Sequence, residues 1–347
     1  MEHELTSGGI PVSTHLDPLL PSGTDHALNS AFADSVRRHV ARTVVGQHEV
    51  VERVLIALLT GGHLLLEGVP GIAKTLLVQS VAHAISLQFK RIQFTIDLLP
   101  SDIIGGDVLD PRTGAFRIQH GPVFTNLLLA DEINRASPKV QSALLEAMQE
   151  RRVSIGETTH ELPTPFVVIA TQNPVEQSGT FELPEAQLDR FLMRHRLAYP
   201  TAEDEAAVVR RSVALTLKHR GDGAVPMSAF DAIDTLGQLR LADLTQAMEH
   251  VQGVHVSDVF IRDCVELVNL TRKDERIELG CSPRAAIALV TAGRARAYLR
   301  GRKYVIPEDL FALADDVLLH RIRLRYEALA RGARTEMVLR DILTKLT

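Results

Sequence analysis

The chain has 347 residues, 45% hydrophobic and 23% charged, which excludes a disordered or fibrous protein and leaves room for about two domains of roughly 150 residues each. Its 38 Lys and Arg against 43 Asp and Glu give a net charge of −5, the opposite of the balance a dedicated polyanion-binding module carries. Two cysteines, Cys264 and Cys281, are too few and too far apart for a zinc motif or a disulfide framework.

No apolar run reaches the ~20 residues needed to span a bilayer. Glu2, Glu4, Asp17, Asp25 and Asp34 precede the first basic residue, Arg37, so neither a basic secretory region nor an Arg-rich transit peptide opens the chain. The expectation is a soluble, cytoplasmic protein with no membrane insertion. Residues 1–35 read as a mobile leader, carrying Gly8, Gly9, Pro11, Pro18, Pro21 and Gly23 without apolar periodicity.

Helical spacing near Ala31–Thr43 is followed by a second helix from about His48 to Leu59, stopped by Gly61-Gly62. His63-Leu64-Leu65-Leu66 is too short for a helix and apolar on both faces, the pattern of a buried parallel strand. Lys74 to about Gln88 predicts a helix, and Arg91–Phe94, Asn126–Ala130, Phe166–Ala170 and Met193–Ala198 predict further strands. Ser137-Pro138 predicts a helix running to Glu150, with Ser at the N-cap and Pro in the first turn. Strands alternating with helices imply a parallel sheet covered on both faces. Past Pro200 the pattern changes: Thr201-Ala-Glu-Asp204 has the form of a capping box, and helical spacing prevails to Thr347 with no strand. The expected organisation is an α/β domain over 36–200 and an all-helical domain over 201–347.

The chemistry gathers at the strand ends. Directly after the first strand, Gly68-Val69-Pro70-Gly71-Ile72-Ala73-Lys74-Thr75 has the form of a phosphate-binding loop. Small residues let backbone N–H groups wrap phosphates, the Lys meets the β/γ charge, and the Thr hydroxyl suits Mg²⁺. Ala73 stands where Gly is usual, so the loop is expected to avoid a positive φ there. Asp131-Glu132 follows the strand Asn126–Ala130, at the edge where parallel sheets bind ligands. Asp131 is placed to hold Mg²⁺, and Glu132 to orient and polarise an attacking water. Asn173, in Thr171-Gln172-Asn173-Pro174, either bonds that water and the γ-phosphate or simply starts an Asn-Pro turn. Arg190 ends a short helix and is either a cation for transferring phosphate or half of a surface salt bridge. Arg284 follows Ser282-Pro283 in a first helical turn, where a cation opposes the helix dipole. An anionic partner accounts for it, as does a local capping peculiarity.

In this order and spacing, these stretches resemble the AAA+ ATPases, and within them the MoxR family. Glu67–Thr75, Leu129–Arg135, Gln141–Glu150, Ala170–Pro174 and Leu183–Phe191 look like that family's signatures, Ala73 included. The resemblance covers about residues 36 to 345. It implies a parallel-sheet AAA+ core with a P-loop and two β-hairpin insertions, followed by an all-helical lid domain. It implies ATP and Mg²⁺ at Lys74, Thr75, Asp131 and Glu132, with Asn173 as sensor 1 and Arg284 as sensor 2. Arg190 is then an arginine finger reaching a neighbouring subunit, with Arg135 and Arg194 as alternatives. Val45 and Gly46 resemble the segment that contacts adenine. The two hairpins correspond to Asp107–Ile118 and Arg152–Pro163. Ile96 stands where the family carries Pro in Phe94-Thr95-x-Asp97.

The resemblance further implies a homo-oligomer, a hexameric ring that remodels a protein client, typically one with a von Willebrand factor A domain. A metal-chelatase motor subunit is a close variant. A nucleic-acid motor shares the hairpins, but Ser154–Glu161 carries two acids and no Lys or Arg where phosphates need bases. A scaffold that does not turn over has no need of Glu132, Asn173 and Arg190 together.

Overall fold

Leu64, Leu65 and Leu66 are fully buried, and the strand they form shows how the sheet is built. Successive strand side chains point to opposite faces, so Leu64 and Leu66 join one apolar cluster while Leu65 joins the other. Leu127 and Leu129 alternate likewise with Leu128 and Ala130, as do Val167 and Ile169 with Val168 and Ala170. A computed structural model of the protein describes residues 24–69, 71–112, 114–174, 179–220, 223–233 and 239–346.

In chain order, α1 (Thr24–Ala41) and α2 (His48–Thr60) lead to β1 (Leu64–Glu67), α3 (Lys74–Ala84), β2 (Phe89–Gln93) and α4 (Pro100–Ile104). A hairpin of β3 (Gly105–Leu109) and β4 (Phe116–His120) precedes β5 (Leu127–Asp131) and α5 (Pro138–Glu150). A second hairpin, β6 (Arg152–Ile155) and β7 (Thr158–Glu161), precedes β8 (Val167–Gln172), α6 (Glu185–Leu188) and β9 (Met193–Arg196). The remainder holds α7 (Ala202–Val213), β10 (Leu217–Arg220), β11 (Gly223–Pro226), α8 (Leu241–Gln252), α9 (Asp258–Lys273) and β12 (Ile277–Leu279). It closes with α10 (Pro283–Leu299), α11 (Pro307–Leu318), β13 (Arg323–Leu324), α12 (Tyr326–Ala330) and α13 (Thr335–Leu343).

The central sheet has the order β2-β5-β8-β1-β9, every neighbour parallel. The C-terminal tips of β5, β8 and β1 therefore lie side by side. Helix α2 is buried from Val50 through Leu59 because it is wedged between the sheet and the C-terminal helices. Within that stretch Glu52 and Arg53 are enclosed too, and both are paired, as burial requires. Glu52 accepts from Arg300 at 2.8 Å, and Arg53 bonds Asp316, which also meets His195 Nδ1 at 2.9 Å.

Both hairpin insertions form where the turn residues put them, each turning on a left-handed glycine, Gly114 (φ 66°) or Gly156 (φ 58°). Thr113, at the first tip, lies outside the described residues, as do residues 1–23 of the expected leader. Helix α1 begins at Thr24, earlier than the apolar spacing suggests, and anchors itself through Phe32, Ala33, Val36 and Val40. The helix expected to reach Gln88 stops at Ala84, because Ser86 turns left-handed (φ 51°) and redirects the chain into β2. Thr201 caps α7 as expected, accepting from the Asp204 N–H at 3.2 Å, whereas the Ser137 hydroxyl makes no cap bond. The region past residue 200 is helical but includes two short antiparallel ladders, β10–β11 and β12–β13, that its spacing did not announce. The residues of β11 are all exposed, so no buried face imposed a period of two on that hairpin.

Candidate nucleotide-binding site

The loop after β1 is shaped by two left-handed residues. Gly71 has φ 87°, with nothing within 4 Å of where a Cβ would stand. Ala73, the N-cap of α3, has φ 59° and ψ 26°, contrary to the expectation that its Cβ would keep it out of that region. An L-residue tolerates this at a cost of about 1–2 kcal/mol, held by the helix that begins at the next residue. At Gly68 a Cβ would come within 2.8 Å of Ile72 Cδ1 and 3.1 Å of Leu197 Cβ, so the loop closes tightly over its own start. Pro70 lies outside the described residues.

Lys74 Nζ donates to the Gly68 carbonyl at 2.6 Å and reaches the Val69 carbonyl at 3.4 Å. Burial lowers its pKa, and the charges of Asp131 and Glu132 counter the shift, so the ammonium sits within the field of both carboxylates. Thr75 Oγ1 donates to Asp131 Oδ2 at 3.4 Å, bringing a hydroxyl and a carboxylate together as hard oxygen donors. The donor set fits Mg²⁺, and the loop's glycines, left-handed Ala73 and inward Lys74 fit a nucleotide's phosphates.

Asp131 ends β5, and Glu132 follows it. Thr171, fully buried on β8, donates to Asp131 Oδ1 at 2.5 Å and accepts from the Glu132 N–H at 2.9 Å. Arg91 on β2 holds Asp131 Oδ2 through two nitrogens, at 3.0 and 2.6 Å. Glu132, itself left-handed (φ 57°), has its Oε2 held by Gln93 Nε2 at 2.7 Å and by Arg135 Nε at 2.9 Å. Asn173 follows β8 and is buried beside this group. Lys74, Thr75, Asp131, Glu132 and Asn173 thus converge at the tips of three adjacent strands.

Arg190 and Arg284 are elsewhere. Together with His63, Met148, Gln149 and Asp189 they line a cleft of 140 Å³. His63 immediately precedes β1, whereas the phosphate loop follows it, so this cleft lies at the opposite edge of the sheet, about 13 Å away along the strand at ~3.3 Å per residue. Arg190 also borders an open cavity of 620 Å³ between α5 and the β6–β7 hairpin, and its Nη1 donates to the Leu145 carbonyl at 3.1 Å. Arg135 is tied to Glu132, and Arg194 is enclosed 3.6 Å from Glu67. Val45 and Gly46 join α1 to α2; a Cβ on Gly46 would come within 2.9 Å of Asp204 Oδ2.

The family model of the ATPase family associated with various cellular activities (AAA) matches residues 63–193, and that of the AAA lid domain matches 269–342. Chaperone MoxR1 of Mycobacterium tuberculosis is 44% identical over 313 residues, which is 88% of this chain and 79% of that protein. The chain belongs to the MoxR family of AAA+ ATPases. Protein MoxR of Methylorubrum extorquens is 32% identical over 82% of this chain and 85% of its own length. The crystal structure of a candidate ATPase from Cytophaga hutchinsonii superposes with a TM-score of 0.83 at 42% identity, covering 93% of this chain and 96% of that one.

In this MoxR-family chain the spacing of motifs found the loop and both strand-end acids but not the side chains that orient them. Thr171 stands two residues before Asn173 in the same stretch, with nothing local to mark it as a ligand of Asp131. Arg91 and Gln93 sit on β2, a strand that looks like any other in sequence. Gln93 pairs in register with Asp131 across the ladder, a relation visible only once the strand order is known. Ile96, where the family carries Pro, is 72% exposed, and nothing in the structure gives it a role.

Proposed function

We propose that the protein hydrolyses ATP with Mg²⁺ in a homo-oligomeric, hexameric ring and uses the cycle to remodel a protein client in the cytoplasm. The observation that carries the reading is the convergence of Lys74, Thr75, Asp131 and Glu132 at adjoining strand tips, with Arg190 and Arg284 at the far edge of the same sheet. With nucleotide bound, Lys74 would exchange its carbonyl contacts for the β/γ-phosphates, and the backbone N–H groups of 71–75 would wrap them. Thr75 and Asp131 hold Mg²⁺, which supplies charge neutralisation on the transferring phosphoryl group. Glu132 orients the attacking water and takes its proton at the carboxylate, while Asn173 bonds the water or the γ-phosphate.

The cleft lies one strand length from the loop, about 13 Å along β1, which sets its two guanidiniums apart from the phosphates that loop holds. Sharing one cleft, they serve a single anion, and we assign that anion as the γ-phosphate of the neighbouring subunit. Arg190 is then the finger and Arg284 its companion, both acting in trans, with Val45 and Gly46 bordering the adenine. The chaperone designation of a 44% identical relative supports a protein client, and the reading takes that client to bear a von Willebrand factor A domain. Among the described residues no helix is long and apolar enough to cross a membrane.

Calorimetry and turnover on Lys74→Ala and Glu132→Gln test the assignment. The first is expected to lose nucleotide binding, because ground-state phosphate contacts go. The second is expected to bind ATP normally but turn it over very slowly, and to retain its client in a pulldown. Equal nucleotide affinity in the two variants refutes it.

A further inference from the structure

Between Arg190 and Arg284 stands a carboxylate that motif comparison gave no role. Asp189 receives Ser282 Oγ at 3.2 and 3.1 Å on its two oxygens, and its Oδ2 lies 3.9 Å from Arg284 Nη1. Ser282 is the N-cap of α10, the helix on which Arg284 stands in the first turn. One side chain therefore joins the loop that bears Arg190 to the helix end that bears Arg284.

Asp189 is itself gripped from behind. Arg321, in the single turn Leu319–Arg321, has a side chain only 3% exposed. Its Nε donates to Asp189 Oδ1 at 2.7 Å. Its Nη2 donates to the carbonyls of Phe191 at 2.6 Å and Asp189 at 3.3 Å, and its Nη1 to those of Val317 and Leu192. Three consecutive helix-terminal needs are met at once: the backbone on both sides of Arg190 is fixed, the carboxylate is neutralised, and the buried cation is paired. The Arg190 guanidinium donates to the Leu145 carbonyl of α5, and the Arg284 side chain is 56% exposed; both line the cleft while their bases are held.

We propose that Asp189 is the positioning residue that sets Arg190 and Arg284 as one pair toward the neighbouring subunit's phosphate, with Arg321 holding Asp189 in place. The inference rests on the trans reading of Arg190 above. It makes the seating of the lid helices a condition for a competent finger. Both Ser282 and Arg321 come from the C-terminal helical region, so a lid that lifts takes the pair out of register. The subunit that suffers is the neighbour, not the one whose lid moved.

The test uses assembled full-length protein. Asp189→Asn keeps the shape and an acceptor but removes the charge that pairs with Arg321 and Arg284. Its own pocket should bind ATP within about twofold of the parent, with KM little changed, while kcat falls roughly 10–100-fold, the cost of a displacement near 1 Å. Added to Arg190→Ala, it should cost clearly less than it does alone, because part of its action runs through the residue already removed. Mixed with Lys74→Ala subunits, which offer an intact Arg190 but a dead pocket, it should regain turnover at intermediate ratios. A purely structural role gives the reverse: weaker nucleotide binding, a lower Tm, losses that multiply with Arg190→Ala, and no recovery on mixing. Any of these overturns the proposal. Arg190→Ala mixed with Lys74→Ala is the control. If that pair stays flat with subunit exchange verified, the trans reading fails, and the Asp189–Arg190 non-additivity still decides positioning on its own. Should Asp189→Asn not assemble, Ser282→Ala cuts only the tie to α10. It should lower kcat about fivefold, the worth of one hydrogen bond, and an unchanged kcat overturns the proposal.

Discussion

Replacing Thr171 with Val is the sharpest test of how the strand-end acids are held. The exchange keeps the β-branched shape in a fully buried position and removes a hydroxyl with two bonds. The donation to Asp131 Oδ1 at 2.5 Å is charge-assisted, worth about 1.5–3 kcal/mol. Its loss leaves Asp131 with Arg91 and Thr75, so the carboxylate is not stranded. The Glu132 N–H, by contrast, loses the acceptor it has at 2.9 Å, a further cost of about 1–3 kcal/mol when no water reaches it. Glu132 is half-buried, its side chain 26% exposed, so partial hydration moderates the second contribution. The expected destabilisation is about 2–4 kcal/mol, against the ~1 kcal/mol typical of point mutations. Urea unfolding followed by far-UV circular dichroism reads it as a shift in midpoint at unchanged m-value. Mg-ATP turnover is expected to fall about tenfold, since Asp131 loses one of the bonds that orient it and the Glu132 backbone loses its anchor. Thr171→Ser restores the hydroxyl and should recover most of both losses. A Val variant within 0.5 kcal/mol of the parent, or a Ser variant as impaired as Val, refutes the argument.

Ala73→Gly should not destabilise the protein: relief of the left-handed strain, about 1–2 kcal/mol, outweighs the ~0.4–1 kcal/mol entropic penalty of Gly in the unfolded chain. A thermal melt showing clear destabilisation contradicts the left-handed assignment, and ATP affinity should be retained. His63 accepts from the Val168 N–H at 3.0 Å and meets the Met148 carbonyl at 3.1 Å, and burial pushes its pKa from 6.5 down to about 4. In the window between those values the unfolded chain takes up a proton that the folded chain refuses. Stability is therefore full above pH 6.5, falls as pH drops toward 4, and loses about 3 kcal/mol from this group. His320, whose pKa burial also lowers, acts in the same direction, so His63→Gln should flatten the pH dependence of Tm in part; an unaltered slope rejects the assignment.

The sequence by itself determined what depends on chain-local chemistry. His63 and three leucines bounded by Gly61-Gly62 and Glu67-Gly68 read as a buried strand, and a loop of small residues ending in Lys74-Thr75 reads as opening a helix. Those constraints act within about ten residues, so they survive without knowledge of the fold. The hairpins at Gly114 and Gly156 were legible for the same reason. The tertiary structure decided what depends on neighbours remote in the chain. Strand order β2-β5-β8-β1-β9 sets Arg91, Asp131 and Thr171 side by side, although they span 80 residues of sequence. It also sends Arg190 and Arg284 to the edge of the sheet opposite Lys74, and brings Asp189 under Arg321 from 132 residues away. Ala73 marks the boundary between the two kinds of knowledge. Its intrinsic preference disfavours φ 59°, yet as the N-cap of α3 it adopts that conformation. A local preference of about 1–2 kcal/mol yields wherever the surrounding contacts are worth more.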